Sequence, residues 1–338
     1  MASLVEPYPL LCAPLLVERV WGGRRLARLY DKPLPAGVPV GEAWEVADLD
    51  QGTSGIAAGP LEGYSLREVT EAWGPTLVGT AWPEGRFPLL VKLLDANDDL
   101  SVQVHPSADD CARWFPTAAS KDEAWVVVDA EPGAAVYYGF QPGVTQAQFE
   151  AALEAEELLG LLARVEVRPG DVLRVAPGTV HALGRGVVVL EVQEPSDTTY
   201  RLYDYGRGRA LHIDEGRRVA RVEADPEPLL APRPVEHDWG VWELLVDAPA
   251  YRMERLAAEE ALAWAVDPRS VQVVCLLEGT ASLAWAGGEQ RLAAGDTVVV
   301  PAAMGSVELR PWGACVAVVA GAGGQHLVDP LAKESDDV

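Results

Sequence analysis

The chain has 338 residues with 27 Lys+Arg against 51 Asp+Glu, a formal charge of −24 at pH 7. A surface this acidic repels phosphate backbones and anionic lipid heads, which argues against nucleic acid and membrane surfaces as partners. Hydrophobic residues at 49% and charged residues at 23% exclude a disordered chain, and the length suits two domains or one large β-rich unit.

In chain order, residues 1–6 lack the basic region and long apolar run of a signal peptide. No stretch anywhere reaches the roughly 18 uncharged apolar residues of a membrane span. Ser65-Leu66-Arg67-Glu68 reads as a capping box opening a helix with Leu66, Val69, Trp73 and Leu77 on one face. A shorter helix is expected from Ser107. Thr145-Gln146-Ala147-Gln148 opens a third, with Phe149, Leu153 and Leu161 or Leu162 turned inward. Between these lie apolar runs rich in Val and Leu, at 87–94, 124–128, 134–138, 172–175, 187–192, 271–277, 281–286, 297–300 and 315–319. Separated by turn residues, they predict strands of an antiparallel sandwich or barrel. The proline-dense stretch 225–234 cannot continue a helix or a central strand and is the expected linker, and the acidic end is expected to fray. The four cysteines, Cys12, Cys111, Cys275 and Cys315, form no Cys-x-x-Cys pair, which predicts free thiols in a reducing cytoplasm.

An internal echo crosses the linker. Residues 170–181 align with 295–306: each begins Gly-Asp, continues as a short buried strand and closes in a second turn. The closing position is His181 in the first copy and Ser306 in the second, so a duplicated β unit is expected with one copy equipped for chemistry.

The densest cluster of chemically able side chains is Ser101-Val102-Gln103-Val104-His105-Pro106. Gln103 and His105 stand at i and i+2, so on a strand they face the same side. Glu123 opens another strand candidate and His181 closes a third. Two imidazoles, a carboxylate and an amide oxygen suit a divalent first-row metal in an open site. The chain has only four lysines, and two of them, Lys92 and Lys121, flank these candidates. The other histidines, His212, His237 and His326, have no such context and are expected to be surface or structural residues.

At this point the sequence resembles the type I phosphomannose isomerases of the cupin superfamily, in their short bacterial form. The matching stretches are Val20-Trp21-Gly22-Gly23, Val40-Gly41-Glu42-Ala43-Trp44-Glu45, Val91-Lys92-Leu93-Leu94-Asp95-Ala96 and Leu100-Ser101-Val102-Gln103-Val104-His105-Pro106. They continue in Lys121-Asp122-Glu123-Ala124-Trp125, Ala176-Pro177-Gly178-Thr179-Val180-His181-Ala182-Leu183 and Ser196-Asp197-Thr198-Thr199-Tyr200-Arg201-Leu202-Tyr203-Asp204. Asp122 and Glu194-Pro195 depart from the family pattern. The resemblance implies a mainly β fold of two cupin-like (jelly-roll) β-barrels with a few short helices. Residues 1–230 would be the metal-binding catalytic domain, with a small helical insertion near 145–163. Residues 231–325 would be a metal-free cupin-like domain, and 326–338 a tail. One Zn2+ per chain would be held by Gln103, His105, Glu123 and His181, in a monomer or weak homodimer.

The same resemblance implies interconversion of mannose 6-phosphate and fructose 6-phosphate through a cis-enediol. Arg201 would orient the sugar and steady the enediolate, and Lys92 or Lys121 would engage the phosphate. Ser101 would line the pocket. Glu191 and Asp197 would shuttle protons or hold Arg201, while a lysine, one of these acids or a zinc-bound hydroxide would each suit as the base. An acidic body with one cationic pocket is the expected shape. Two rivals share the pattern. His105, Glu123 and His181 also satisfy the two-histidine, one-carboxylate set of iron oxygenases, and a sugar-phosphate sensor would keep the pocket without turnover.

Overall fold

The computed structural model describes residues 5–82, 85–223, 228–323 and 327–328. Among them the strands form four main antiparallel sheets, of six, five, eight and four strands, and one two-stranded ribbon. The fold is mainly β and cupin-like, with few helices. The six-stranded sheet runs Val172–Val175, Glu123–Ala130, Val187–Gln193, Leu90–Asp95, Val40–Val46 and Leu15–Gly23. Facing it is the five-stranded sheet Leu162–Glu166, Ala135–Phe140, His181–Leu183, Val102–Val104 and Tyr200–Tyr203. Trp125, Val127, Leu173, Val189, Val136 and Leu183 fill the space between them. The eight- and four-stranded sheets enclose a second core around Leu256, Trp264, Val274, Leu283, Val298 and Leu309.

A third core joins the two sandwiches back to back. Val91, Leu93, Val126, Leu190 and Val192, on the outer face of the six-stranded sheet, share one cluster with Leu10, Tyr251, Val273, Cys275, Val299 and Val318 of the eight-stranded sheet. The middle strands of the six-stranded sheet are therefore buried on both faces, Val40–Val46, Leu90–Asp95 and Val187–Gln193 at every position. That is why Leu90–Asp95 and Val187–Gln193 read in sequence as apolar runs broken only by a few polar residues, Lys92, Asp95, Glu191 and Gln193, all of them buried. The chain also crosses between the sandwiches. Leu10–Ala13 pairs with Thr297–Val300 in the eight-stranded sheet, with Leu10 opposite Val299, and Gly55–Ile56 pairs beside it.

The echoed segments fold alike. Gly170 and Gly295 adopt φ of 95° and 93°, a region open to glycine. Asp171 and Asp296 each accept a backbone N–H from three residues earlier, at 2.8 Å in both cases. Val172–Val175 and Thr297–Val300 follow, and His181 and Ser306 each open the next strand. The helices Leu66–Trp73, Ala108–Trp114 and Gln146–Ala155 begin at capping boxes on Ser65, Ser107 and Thr145. Of the expected linker, residues 225–227 lie outside the described residues. From the remainder, Leu230 N–H bonds Val172 O at 2.8 Å before the exposed strand Pro234–His237. The expected tail, apart from 327–328, and residues 1–4 also lie outside them. No described helix is long and apolar enough to cross a membrane.

At the junction Lys32 Nζ reaches Glu45 Oε2 at 2.8 Å and Gly295 O at 2.7 Å, tying the first sandwich to the second sandwich's Gly-Asp turn. Burial, opposed by Lys32, pushes the Glu45 carboxyl up to about 6. Folding thus favours its protonated form, so its contribution to stability is full below the unfolded carboxylate range and is lost as pH rises through about 6. Removing the cation strands the charge above that point. Lys32→Met is expected to lower the unfolding free energy by about 3–5 kcal/mol at pH 8. The deficit should shrink towards pH 5, where Glu45 takes up a proton; urea titrations at the two pH values check this.

Candidate active site

The inner face of the six-stranded sheet supplies one half of a polar site. Along Leu90–Asp95, Val91 and Leu93 point to the junction core, which turns Lys92 inward. The same alternation turns Glu191 and Gln193 inward on Val187–Gln193, and Glu123 and Trp125 inward on Glu123–Ala130. Register makes them neighbours, with Glu191 opposite both Lys92 and Trp125, and Gln193 opposite Glu123. The facing sheet supplies the other half, placing Gln103 between His181 and Arg201.

His105, Glu123 and His181 are fully buried, and their ligand atoms lie within 4.8 Å of one another. Glu123 Oε1 is 3.5 Å from His105 Nε2 and 3.2 Å from His181 Nε2. Thr198 O and Thr179 O each accept the Nδ1–H of His105 and His181 at 2.9 Å, which leaves both Nε2 atoms as lone-pair donors. His105 Nε2 and Glu123 Oε1 are buried without a hydrogen-bond partner among the described residues. Buried polar atoms are normally satisfied, so these converging orphans fit a divalent ion. The Gln103 side-chain amide stands 3.3 Å from His181 Nε2, and turning it over would offer Oε1 as a further ligand.

Electrostatics agree. Burial, helped by the Lys121 charge, drops the His105 imidazole to about 3 and keeps it neutral, as ligation requires. Burial would raise Glu123, but Lys121, 2.8 Å away, and His105 outweigh it and hold the carboxyl well below the usual carboxylate range.

Above the trio opens a cavity of 430 Å³ whose lining includes Lys92, Ser101, Gln103, Lys121, Glu191, Asp197 and Arg201. Every sequence-predicted substrate and proton-transfer residue is thus brought to one place. The lining holds five basic and four acidic residues, so in a chain dominated by acids the cavity carries a local excess of cations. Glu191 accepts a hydrogen bond from Trp125 Nε1 at 2.9 Å and lies 3.1 Å from Lys92 Nζ. Burial and then the Glu123 charge raise its carboxyl. Asp197 also turns to Lys92, at 3.9 Å. Both acids therefore face Lys92, and Arg201 is held elsewhere. Its Nη1 donates to Ala210 O at 2.8 Å and its backbone N–H to His212 Nδ1 at 3.1 Å. Arg201 Nε is buried with no partner among the described residues, a donor left over for a ligand.

His212 is thus structural, bracing Arg201. His237 stacks on Trp239 with centroids 4.9 Å apart, and His326 lies outside the described residues. Sequence reasoning missed Arg19, Glu42 and Arg209. Glu42 accepts from Arg19 Nε at 2.7 Å and from Trp44 Nε1 at 2.6 Å at the cavity wall. Their signal was position, since Glu42 sits inside one of the matching stretches and Arg19 immediately precedes another.

Comparison with known proteins adds independent findings. A family model described as phosphomannose isomerase type I, catalytic domain, matches residues 10–128. The mannose-6-phosphate isomerase ManA of Bacillus subtilis (strain 168) is 40% identical over 226 residues, covering 65% of this chain and 70% of that protein. A mannose-6-phosphate isomerase of Streptococcus mutans is 37% identical over 220 residues, covering 63% and 68%. Among solved structures, the mannose 6-phosphate isomerase of Bacillus subtilis superposes with a TM-score of 0.83 at 28% identity, over 93% of this chain and 99% of that one. The apo enzyme of Salmonella typhimurium, at 19% identity and a TM-score of 0.72, shares the fold.

Glu123→Ala or His181→Ala removes one member of a cluster able to hold a metal ion only as a set. Elemental analysis is expected to find about one divalent ion per wild-type chain and a small fraction of that in either variant. Far-UV circular dichroism should stay close to wild type.

Proposed function

The chain belongs to the type I phosphomannose isomerases, and from that premise we propose that it interconverts mannose 6-phosphate and fructose 6-phosphate through a cis-enediol, as an enzyme of the cytoplasm. The observation that supports this most is the meeting, around one cavity, of a buried carboxylate with a raised pKa, an arginine with a spare buried donor and, joined to the lining through Lys121, orphaned metal-ligand atoms. The division of labour proposed is a catalytic domain over 1–230, a metal-free partner over 231–325 and a tail beyond.

Gln103, His105, Glu123 and His181 would hold the metal, proposed as one Zn2+. Such an ion supplies electrostatic stabilisation to negative charge on sugar oxygens. The remaining chemistry falls to side chains. Aldose-to-ketose conversion moves one proton from C2 to C1 and a second from O2 to O1. Glu191 suits the first transfer, because a carboxyl that burial and the Glu123 charge raise above its ordinary value can both take and return a proton. Lys92, 3.1 Å from it, keeps the carboxylate accessible despite burial. Lys121 lies next to the ligand set and suits the exchange between the oxygens. Arg201 offers Nε to the enediolate or the sugar, and burial does not discharge a guanidinium. Asp197 and Ser101 position the sugar, and Arg209 with Arg19 adds positive charge at the wall for the phosphate.

The deciding assay is conversion of mannose 6-phosphate by the zinc-loaded chain, read by coupled detection of fructose 6-phosphate against a chelator-treated control. Absence of product with the metal bound would reject the activity. Arg201→Ala is expected to keep its metal and lose about 10²–10³-fold in kcat. Full activity in that variant would reject the role. For Glu191, activity is expected to rise with pH through a raised carboxyl pKa, and Glu191→Gln should lose about 10²–10⁴-fold in kcat, with the residual rate lacking that acid limb.

A further inference from the structure

The segment bearing Lys121 and Glu123 has a second face. With those two side chains turned to the cavity, Asp122 between them points the other way, towards the junction core. Its carboxylate accepts from Arg174 Nη2 at 2.5 Å and Nε at 3.1 Å, and from the Tyr251 hydroxyl at 2.8 Å. Tyr251 belongs to Tyr251–Ala258 of the second sandwich and is fully buried. The backbone of Asp122 is gripped as well. Its N–H donates to Glu194 Oε2 at 2.9 Å, and its O accepts the Glu194 N–H at 3.1 Å. Glu194 Oε1 takes the Ser120 hydroxyl at 2.9 Å. From Glu194 the chain runs to Ser196, which bonds Ala119 O at 3.2 Å, and to Thr198, whose O fixes the His105 imidazole.

Asp122 and Glu194 are two of the three positions, with Pro195, at which the sequence departs from the pattern it resembles, and they are bonded to each other. We propose that they form a positioning bracket, anchored in the second sandwich by Tyr251, that sets Glu123 and Lys121 against His105. The argument is geometric. Two hydrogen bonds accepted by the Glu194 carboxylate, one donated by its N–H and three accepted by the Asp122 carboxylate fix both sides of one short backbone segment. Two of the trio that binds metal depend on it, Glu123 through its adjacent peptide and His105 through Thr198. Neither Asp122 nor Glu194 lines the cavity, so the effect is on ligand placement. Outer partners of metal ligands typically govern about 10–100-fold in affinity or activity when removed.

The test uses the full chain. Tyr251→Phe deletes one hydroxyl while the ring stays in the core and Arg174 still pairs with Asp122. The expected result is Zn2+ affinity weakened about tenfold in competition with a chromophoric chelator. Turnover of mannose 6-phosphate should lose a similar factor in kcat, with KM within about twofold. Glu194→Gln should weaken affinity likewise, and the double variant should fall short of the product of the two effects, because both act through Asp122. A lowered Tm with affinity and kcat unchanged would make the bracket merely structural and overturn the proposal. Should Tyr251→Phe fail to fold, Asp122→Asn is measured in the same way, and unchanged affinity there overturns it equally. The kinetic arm rests on the proposed function, whereas the chelator arm does not. A wild type that binds zinc without isomerising would sink the function and leave the bracket decided by affinity.

Discussion

The structure depends on one constraint: its central sheet is buried on both faces, so each strand must serve two interiors at once. Odd and even positions diverge completely. On Leu90–Asp95 and Val187–Gln193, one set of side chains makes the junction core and the other set makes the active cavity. A slip of one residue in pairing would bury Lys92 and Glu191 in the junction and push Val91 and Leu190 into the cavity. Register is therefore specified from both sides. Water-free burial of an ion costs several kcal/mol, and the sheet offsets that cost by setting opposite charges on adjacent strands, Lys92 beside Glu191. The pair proposed to support chemistry is the same pair that opposes a slip in strand alignment.

That arrangement reconciles a strongly acidic chain with an anionic substrate. Charge on the outer surface is screened within about 8–10 Å at ordinary ionic strength, while groups on low-dielectric walls are screened much less. Arg19, Lys92, Lys121, Arg201 and Arg209 converge on one cavity and outnumber its acids. Two of the four lysines are spent there, and a third, Lys32, closes the junction. A low overall count of lysines with this placement makes the acidic body a background against which one opening attracts phosphate.

Much of this was legible because it is local. Apolar runs at 172–175 and 297–300 coincide with strands, three caps start three helices, and Gln103 and His105 share a face by period alone. What escaped is long-range. Glu42 meets Arg19 because Leu15–Gly23 pairs with Val40–Val46, and no spacing along the chain announces that pairing. The first strand joins the second sandwich through Leu10 and Val299, which a reading of composition on either side of the proline-dense stretch could not show. In the sequence Asp122 is only a departure from the family pattern, whereas its carboxylate reaches Tyr251, far along the chain. Of the two roles expected for Glu191 and Asp197, holding Arg201 is not what the contacts show: register sets Glu191 against Lys92, and the loop after that strand brings Asp197 to the same ammonium.

The second sandwich shows what the same architecture looks like when buried polarity is purely structural. It repeats the Gly-Asp turn and the strand after it, but Ser306 opens the next strand where the first copy has His181. Its buried carboxylate, Glu254, is saturated by protein donors: Arg252 Nε, Trp242 Nε1 and the backbone N–H groups of Leu327 and Val328. Its buried amide, Gln272, is likewise bound by Trp264 Nε1 and Leu327 O. Glu123, equally buried, keeps an oxygen without a hydrogen bond, beside an imidazole nitrogen in the same condition. Leaving a buried acceptor unsatisfied costs about 1–3 kcal/mol, and more for a charge. Both sandwiches bury a carboxylate, and of Glu123 and Glu254 only the latter meets the penalty with donors of the protein itself. The first sandwich holds its deficit in the one place where a metal and a sugar can fill it.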